Sequence, residues 1–233
     1  IEDLELILHP MAEEGKEASG SMGDDTPVAV LSSHYRPVSH YFRQNFSQVT
    51  NPPIDSLREN KVMSLKTRFG NLGNILNFDN LTEENIYVLD SPILTNSQFI
   101  KFKKFFSKKI KIIDCTFDIA SSLKDRIESI REETETAVRE GSTALILSDK
   151  NISNQKASIP SILTVGAVHS HLVKQGLRGY CSLNVECSDA LDTHSFAVLI
   201  GVGATTVNPY LAIDSIYQRF EKKLFGKADF ESC

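Results

Sequence analysis

The four cysteines of this 233-residue chain, Cys115, Cys181, Cys187 and Cys233, form no CxxC pair and no zinc-type spacing with histidine. Cys181 and Cys187 are expected on one strand, where six residues span about 20 Å, too far apart for a bridge. Reduced thiols of a cytosolic protein follow from this pattern. Long apolar runs are lacking too: Ala197 to Val207 falls well short of the roughly 18 to 20 residues that cross a bilayer, and the start shows no secretory signal. Basic excess is absent. With 25 Lys and Arg against 30 Asp and Glu the formal net charge is -5, so neither nucleic acid nor a membrane is an expected partner. There is no GxSxG, no Walker loop, no HExxH and no nucleophile with a base, so catalysis has no local signature. The chain begins with Ile1 rather than Met and reads as an excised piece.

What is present is an ordinary globular composition, 41% hydrophobic and 24% charged, enough for a sizeable core. Ile1 to Ser21 opens with Leu4, Leu6, Ile7 and Leu8 and then turns acidic and Gly-rich, which suits a connecting segment. After Gly23-Asp24-Asp25-Thr26-Pro27, Val28 to Leu31 is expected as a buried strand. Tyr41, Phe42, Phe46 and Val49 have helical spacing and run into Asn51-Pro52-Pro53, which cannot continue a helix. Further on, short β-rich runs at Tyr87 to Leu89, Ile110 to Ile113, Ala144 to Leu147 and Cys181 to Val185 alternate with helical segments. That alternation implies an α/β fold of repeated βα units with a mainly parallel sheet.

Three helices are placed in this way. Thr95-Asn96-Ser97 offers a cap for Gln98 to Lys108, with Phe99, Phe102, Phe105 and Phe106 on one stripe. Ser121 to Glu140 is charged and amphipathic, with Leu123, Ile127, Ile130 and Val138 as its buried side. Pro160 opens a helix through Leu163, Val165 and Val168 to Leu172, stopped by Gly176.

Each feature that suggests chemistry has a plainer reading. Lys101, Lys103, Lys104, Lys108, Lys109 and Lys111 interleave with phenylalanines, but helical geometry sends the rings inward and the lysines to a solvated face. His169 and His171 are two residues apart on a helix and point to different sides, so they do not chelate together. Gly201-Val202-Gly203-Ala204 lacks the third glycine and the acidic residue of a dinucleotide fingerprint; close packing, followed by a turn at Asn208-Pro209-Tyr210, fits better. Asp24 and Asp25 read as turn formers and partners for Arg36, Arg43 or Arg58. Thr50-Asn51-Pro52-Pro53-Ile54-Asp55 is rigid and rich in carbonyl acceptors, and a stiff corner accounts for it.

Several blocks, in order, resemble the central domain of the glutamate synthase large (alpha) subunit. They are Leu6 to Ala18, Ser21 to Pro27, Tyr41 to Gln44 with Gln48 to Asp55, Ile159-Pro160-Ser161, Val168 to Leu172 with Gly176 to Arg178, and Gly201 to Ala204 with Val207 to Ala212. Lys61 to Lys109 is less recognisable. The resemblance implies an incomplete TIM-barrel-like domain in three parts: 1–27 connecting from the glutaminase side, 28–216 as the α/β central domain, and 217–233 as the end of the piece or the start of the connection to the FMN domain.

In that family a glutaminase domain releases ammonia, and an FMN-binding barrel with a [3Fe-4S] cluster consumes it to make glutamate from 2-oxoglutarate. By resemblance this domain is non-catalytic, binds no cofactor or metal itself, links the two active domains and lines part of the ammonia passage. Met22, Gly23, Thr50, Asn51, Pro52, Pro53 and Ile54 are the residues implied at the passage. Expected partners are the glutaminase and FMN-binding domains of the same chain, and for the parent enzyme a small reductase subunit or ferredoxin. Its place would be the cytoplasm, or the plastid stroma in a photosynthetic eukaryote. Against the family's full architecture the sequence is expected to lack the amino-terminal cysteine domain, the flavin and cluster motifs, and the helix that follows the Asn-Pro-Tyr block. The alternative is a stand-alone ligand-binding or interaction module, with a pocket around His169, His194 and Glu186.

Overall fold

The computed structural model describes residues 3–17, 36–43, 53–69 and 86–226, with 31, 33, 46, 48–49, 76 and 230 as isolated positions. A helical segment opens it, π-wound over Leu4–Leu8 and continuing as α1 (His9–Glu14), closed by Gly15 at φ 67°. A 3-10 turn (Val38–Tyr41), α2 (Glu59–Val62), β1 (Thr67–Phe69) and β2 (Tyr87–Leu89) precede the repeating part. There α3 (Asn96–Phe106) leads into β3 (Ile110–Asp114), β4 (Thr116–Asp118), α4 (Leu123–Arg139) and β5 (Ala144–Ser148). They are followed by β6 (Lys156–Ser158), α5 (Ser161–Lys174), β7 (Ser182–Glu186), α6 (Thr193–Gly201), β8 (Thr206–Asn208) and α7 (Tyr210–Glu221).

The main sheet runs β3-β5-β7-β8, all parallel, and a parallel bridge from Ile93 to Val207 extends it at the β8 edge. The expected α/β architecture is therefore observed. Among the described residues the sheet is open and not closed into a barrel, in keeping with an incomplete barrel-like domain.

Local chemistry explains the elements. Thr95 accepts from the Gln98 N–H at 3.3 Å while Gln98 Oε1 accepts from the Thr95 N–H at 2.9 Å, a complete capping box that starts α3. Ser122 caps α4 through the Asp125 N–H. Gly176, at φ 69°, ends the α5 region, with the Leu177 N–H returning to the Leu172 carbonyl at 2.8 Å. The period-2 alternation of a strand sends Leu145, Leu147, Leu183, Val185 and Val207 toward α4, α5 and α6, whose Ile130, Val165, Val168 and Leu199 complete one core. On the opposite face Phe99, Phe102 and Phe106 of α3 pack with Ala144, Ile146 and Leu89. Phe105, expected on that stripe, is 46% exposed and meets Tyr87 at the rim in a tilted contact, 4.9 Å between ring centres.

Three expectations are corrected. Tyr87–Leu89 is a strand, but it pairs antiparallel with β1 outside the parallel sheet, where Phe69 and Tyr87 meet at 5.7 Å. The described residues after Tyr41 and up to Val49 are not helical: Tyr41 ends the 3-10 turn, and Phe42 leaves it at φ −97°, ψ 87°. Tyr41 and Phe42 are each 43% exposed, and a short helix with so little tertiary burial does not persist in water. The helix thought missing after Asn208-Pro209-Tyr210 is present as α7, and the opening helical segment packs on it. Arg219 donates to both carboxylate oxygens of Glu5 at 3.0 and 2.9 Å, and the His9 and Phe225 rings stack at 4.5 Å. The expected strand at Val28 to Leu31 lies outside the described residues except for Leu31, which is in a turn and exposed. No helix among the described residues is long and apolar enough to cross a membrane.

Candidate functional site

Parallel α/β sheets gather functional side chains at the carboxyl ends of their strands. Here that edge holds Asp114, Ser148, Glu186 and Asn208 as the last residues of β3, β5, β7 and β8, with Asp149 and Lys150 just after β5, Ser188 after β7 and Tyr210 after β8. Glu186, only 3% exposed, is the hub. Its carboxylate accepts from Lys103 at 2.9 Å, Lys150 at 3.0 Å and the Ser148 hydroxyl at 2.8 Å. Burial opposes its charge, yet these donors prevail and hold the carboxyl below its ordinary range. Lys150 also lies over the Tyr210 ring, 4.8 Å from its centre.

Asp149, 2% exposed, takes the Ser188 N–H at 2.9 Å and hydroxyl at 2.6 Å on one oxygen. Its other oxygen has no hydrogen-bond partner among the described residues. Burial pushes this carboxyl upward against the pull of Ser188. The Tyr210 hydroxyl is raised by its own burial and by the neighbouring Asp149. Lys103 thus departs from the expected solvated lysine face: it reaches from α3 to the sheet because a buried carboxylate needs a partner. Asp149 and Lys150 went unmarked in the sequence, although their place just after an apolar strand run was a usable signal.

The histidines go to separate partners. His169 Nδ1 accepts from Arg178 at 3.1 Å, His171 Nε2 meets Glu135 at 2.7 Å, and His194 Nε2 meets the Ser39 carbonyl oxygen at 3.0 Å. They do not converge with Glu186 on one pocket. Gly203 bears out the packing reading of its motif. At φ 123°, a Cβ there would sit 2.4 Å from His169 Nδ1. Cys115, Cys181 and Cys187 are free, buried thiols, and burial pushes each upward.

Of the residues implied at the passage, Pro53 is exposed and Ile54 half-buried; Met22, Gly23, Thr50, Asn51 and Pro52, like Asp24 and Asp25, lie outside the described residues. Large apolar side chains around Ile54 are exposed: Phe42 43%, Val49 78%, Leu57 93%, Val62 56%, Met63 64% and Leu65 65%.

The chain is 56% identical over 99% of its length to the glutamate synthase [NADPH] large chain of Azospirillum brasilense, spanning 15% of that protein. It is 40% identical over 93% of its length to the chloroplastic ferredoxin-dependent glutamate synthase of Spinacia oleracea, and 40% identical over 95% to the glutamate synthase [NADPH] large chain of Bacillus subtilis. It spans 14% of each of those two. The model of the glutamate synthase central domain matches residues 1–232. By family match and relatives together, the chain belongs to the glutamate synthase central domain family.

Proposed function

We propose that this chain is the non-catalytic central domain of a glutamate synthase large subunit, joining a glutaminase domain to an FMN-binding synthase domain and lining part of the ammonia passage. The observation that carries this reading is the run of exposed apolar side chains from Phe42 to Leu65, which brackets the Thr50 to Ile54 segment. Exposure on that scale along one stretch marks a surface made to be covered by another domain. A route for neutral ammonia needs such a dry wall, with fixed acceptors to guide N–H groups and no charge to trap them. Thr50, Asn51 and the Pro52-Pro53 carbonyls are acceptors of that kind, and Met22 and Gly23 are assigned to the same wall by the family resemblance.

The carboxyl-edge network favours a structural role over a stand-alone ligand site, because Lys103 and Lys150 are both committed to Glu186 and not presented to a phosphate. FMN and the cluster belong, on this reading, to the neighbouring synthase domain. The electron donor is ferredoxin or a reductase subunit, and the compartment the cytoplasm or plastid stroma.

The test compares wild-type large subunit with Thr50→Val and Asn51→Leu, supplied with its electron donor, following glutaminase activity and glutamine-dependent glutamate formation separately. The expected outcome is unchanged glutaminase activity, reduced coupled synthesis and ammonia released to solution. Matched wild-type rates in both assays would make the segment a stiff corner only.

A further inference from the structure

At the amino ends of β5, β7 and β8, the opposite end of the strands from the Glu186 network, lies a cavity of about 300 Å³. Arg68 lines it from β1 and Arg178 from the turn before β7, and Thr143, Tyr180, Ser182 and Thr205 complete its polar lining. No acidic residue is among the described residues that line it, in a chain where acids outnumber bases 30 to 25.

Neither guanidinium has a counter-charge. Arg178 is half-buried, and its four acceptors are all neutral: His169 Nδ1 at 3.1 Å, the Cys181 carbonyl at 2.6 Å, the Gly203 carbonyl at 2.9 Å and the Thr205 hydroxyl at 3.4 Å. Burial weighs against its charge, and no carboxylate stands beside it in compensation. Arg68 is exposed and makes no hydrogen bond or ion pair among the described residues.

The cavity also offers donors more readily than acceptors. A guanidinium has five N–H groups, so the four contacts of Arg178 leave one over. Thr205 Oγ1 accepts from the Leu183 N–H at 3.1 Å and from Arg178, which leaves its own hydrogen to donate. The Tyr180 hydroxyl has no partner among the described residues either. The Thr143 and Cys181 carbonyls, by contrast, are already taken by Ser182 and Arg178. Two uncompensated guanidiniums with spare hydroxyl donors suit an oxyanion, because planar N–H forks match carboxylate and phosphate oxygens. The volume stands at the lower end of the roughly 300–1,000 Å³ of small-molecule sites, so the guest is compact.

We propose that this cavity binds a small oxyanion, a phosphate or a compact dicarboxylate, clamped between Arg68 and Arg178 with the Thr205 and Tyr180 hydroxyls as further donors. Bridged in this way, the β1-β2 pair is fastened to the amino edge of the parallel sheet. The site is independent of the passage reading, which involves other residues.

The experiment soaks crystals of the intact large subunit with selenate and, separately, with bromosuccinate, at concentrations well below saturation. The expected result is an anomalous peak within hydrogen-bond distance of both guanidiniums, from selenate for a tetrahedral oxyanion such as phosphate and from bromosuccinate for a dicarboxylate. Its occupancy should fall about tenfold in Arg68→Gln, which removes a charge-assisted contact, and less in Arg68→Lys, which keeps the charge without the fork. Arg68 is the residue to change because it is exposed and unpaired, whereas Arg178 also holds the Cys181 and Gly203 carbonyls in place. No peak from either probe in wild type overturns the proposal. So does a peak of equal strength in Arg68→Gln, which would mean an adventitious ion only, or a carboxylate side chain of a neighbouring domain seated between the two guanidiniums.

Discussion

Beneath α4, α5 and α6 the sheet presents Leu145, Leu147, Leu183, Val185 and Val207. On the opposite face β7 and β8 present Ser182, Asn184, Glu186, Thr206 and Asn208, and the most exposed of all ten is Ser182 at 6%. Equal burial is thus reached with two chemistries. The aliphatic face needs only shape and volume, because its driving force has no direction. The polar face requires every group to find its partner, since an unpaired buried group costs the full loss of its hydration. Asn184 Nδ2 donates to the Leu145 carbonyl at 3.1 Å and to the Ser182 hydroxyl at 3.0 Å, and Thr206 donates to Asn184 Oδ1 at 2.7 Å. One face tolerates approximate substitutes; the other depends on specific partners, with Ser182, Asn184 and Thr206 joined to one another, Glu186 to Lys103, Lys150 and Ser148, and Asn208 to Leu94 and Asn96.

The largest break in that contrast is expected from Glu186→Ala, which leaves two lysines and Ser148 around an empty corner. Removing one partner of a buried ion pair costs about 3–5 kcal/mol, measured as the change in urea unfolding free energy. The same residue predicts a pH signature. Its folded-state carboxyl titrates below the ordinary 4.5, so its contribution is fully present above pH 4.5 and lost as pH falls through the folded-state value. Wild type and Glu186→Gln should therefore converge in stability on acidification, and a gap that stays constant with pH would refute the assignment.

On the aliphatic face Leu183→Ala should cost about 3 kcal/mol by leaving a cavity, with little pH dependence. The smallest effect sharpens the comparison most. Thr206→Val preserves shape and leaves Asn184 Oδ1 without its donor, for a loss of about 1–2 kcal/mol in thermal unfolding; a neutral result would mean the polar face is less tightly coupled than its distances indicate.

Much of the repeating half was legible because its elements are long or periodic. α3, α4 and α5 carry clear caps and stripes, and β3, β5 and β7 are runs of Ile, Leu, Val and their like. β8 was not legible: Thr206–Asn208 is three residues long, two of them polar, and it is a strand because β7 and Ile93 pair with it. α6 and α7 escaped for a related reason. Thr193–Gly201 is apolar on nearly every side, so no amphipathic stripe announces it, and α7 begins at a Pro-Tyr step that reads as a turn. At the carboxyl edge Glu186 drew notice only as a possible acid beside histidines. Its lysine partners come from Lys103, 83 residues earlier, and from Lys150, a distance that local pattern does not span.

The segment Pro92 to Leu94 completes the sheet by pairing with Val207: the Leu94 N–H reaches the Val207 carbonyl at 2.8 Å, and the Val207 N–H reaches the Pro92 carbonyl at 2.9 Å. The Asn208 side chain ties to Leu94 across 114 residues of sequence. Such separation weighs more on the time course of folding than on final stability, because loop-closure entropy grows only by about 0.6 kcal/mol per doubling of length. On a ribosome adding roughly 5–20 residues per second, Pro92 to Leu94 emerges some 6–23 seconds before its partner strand exists. Until then the segment has no strand to join, and any nascent chain that stops short of β8 carries a sheet open at that edge.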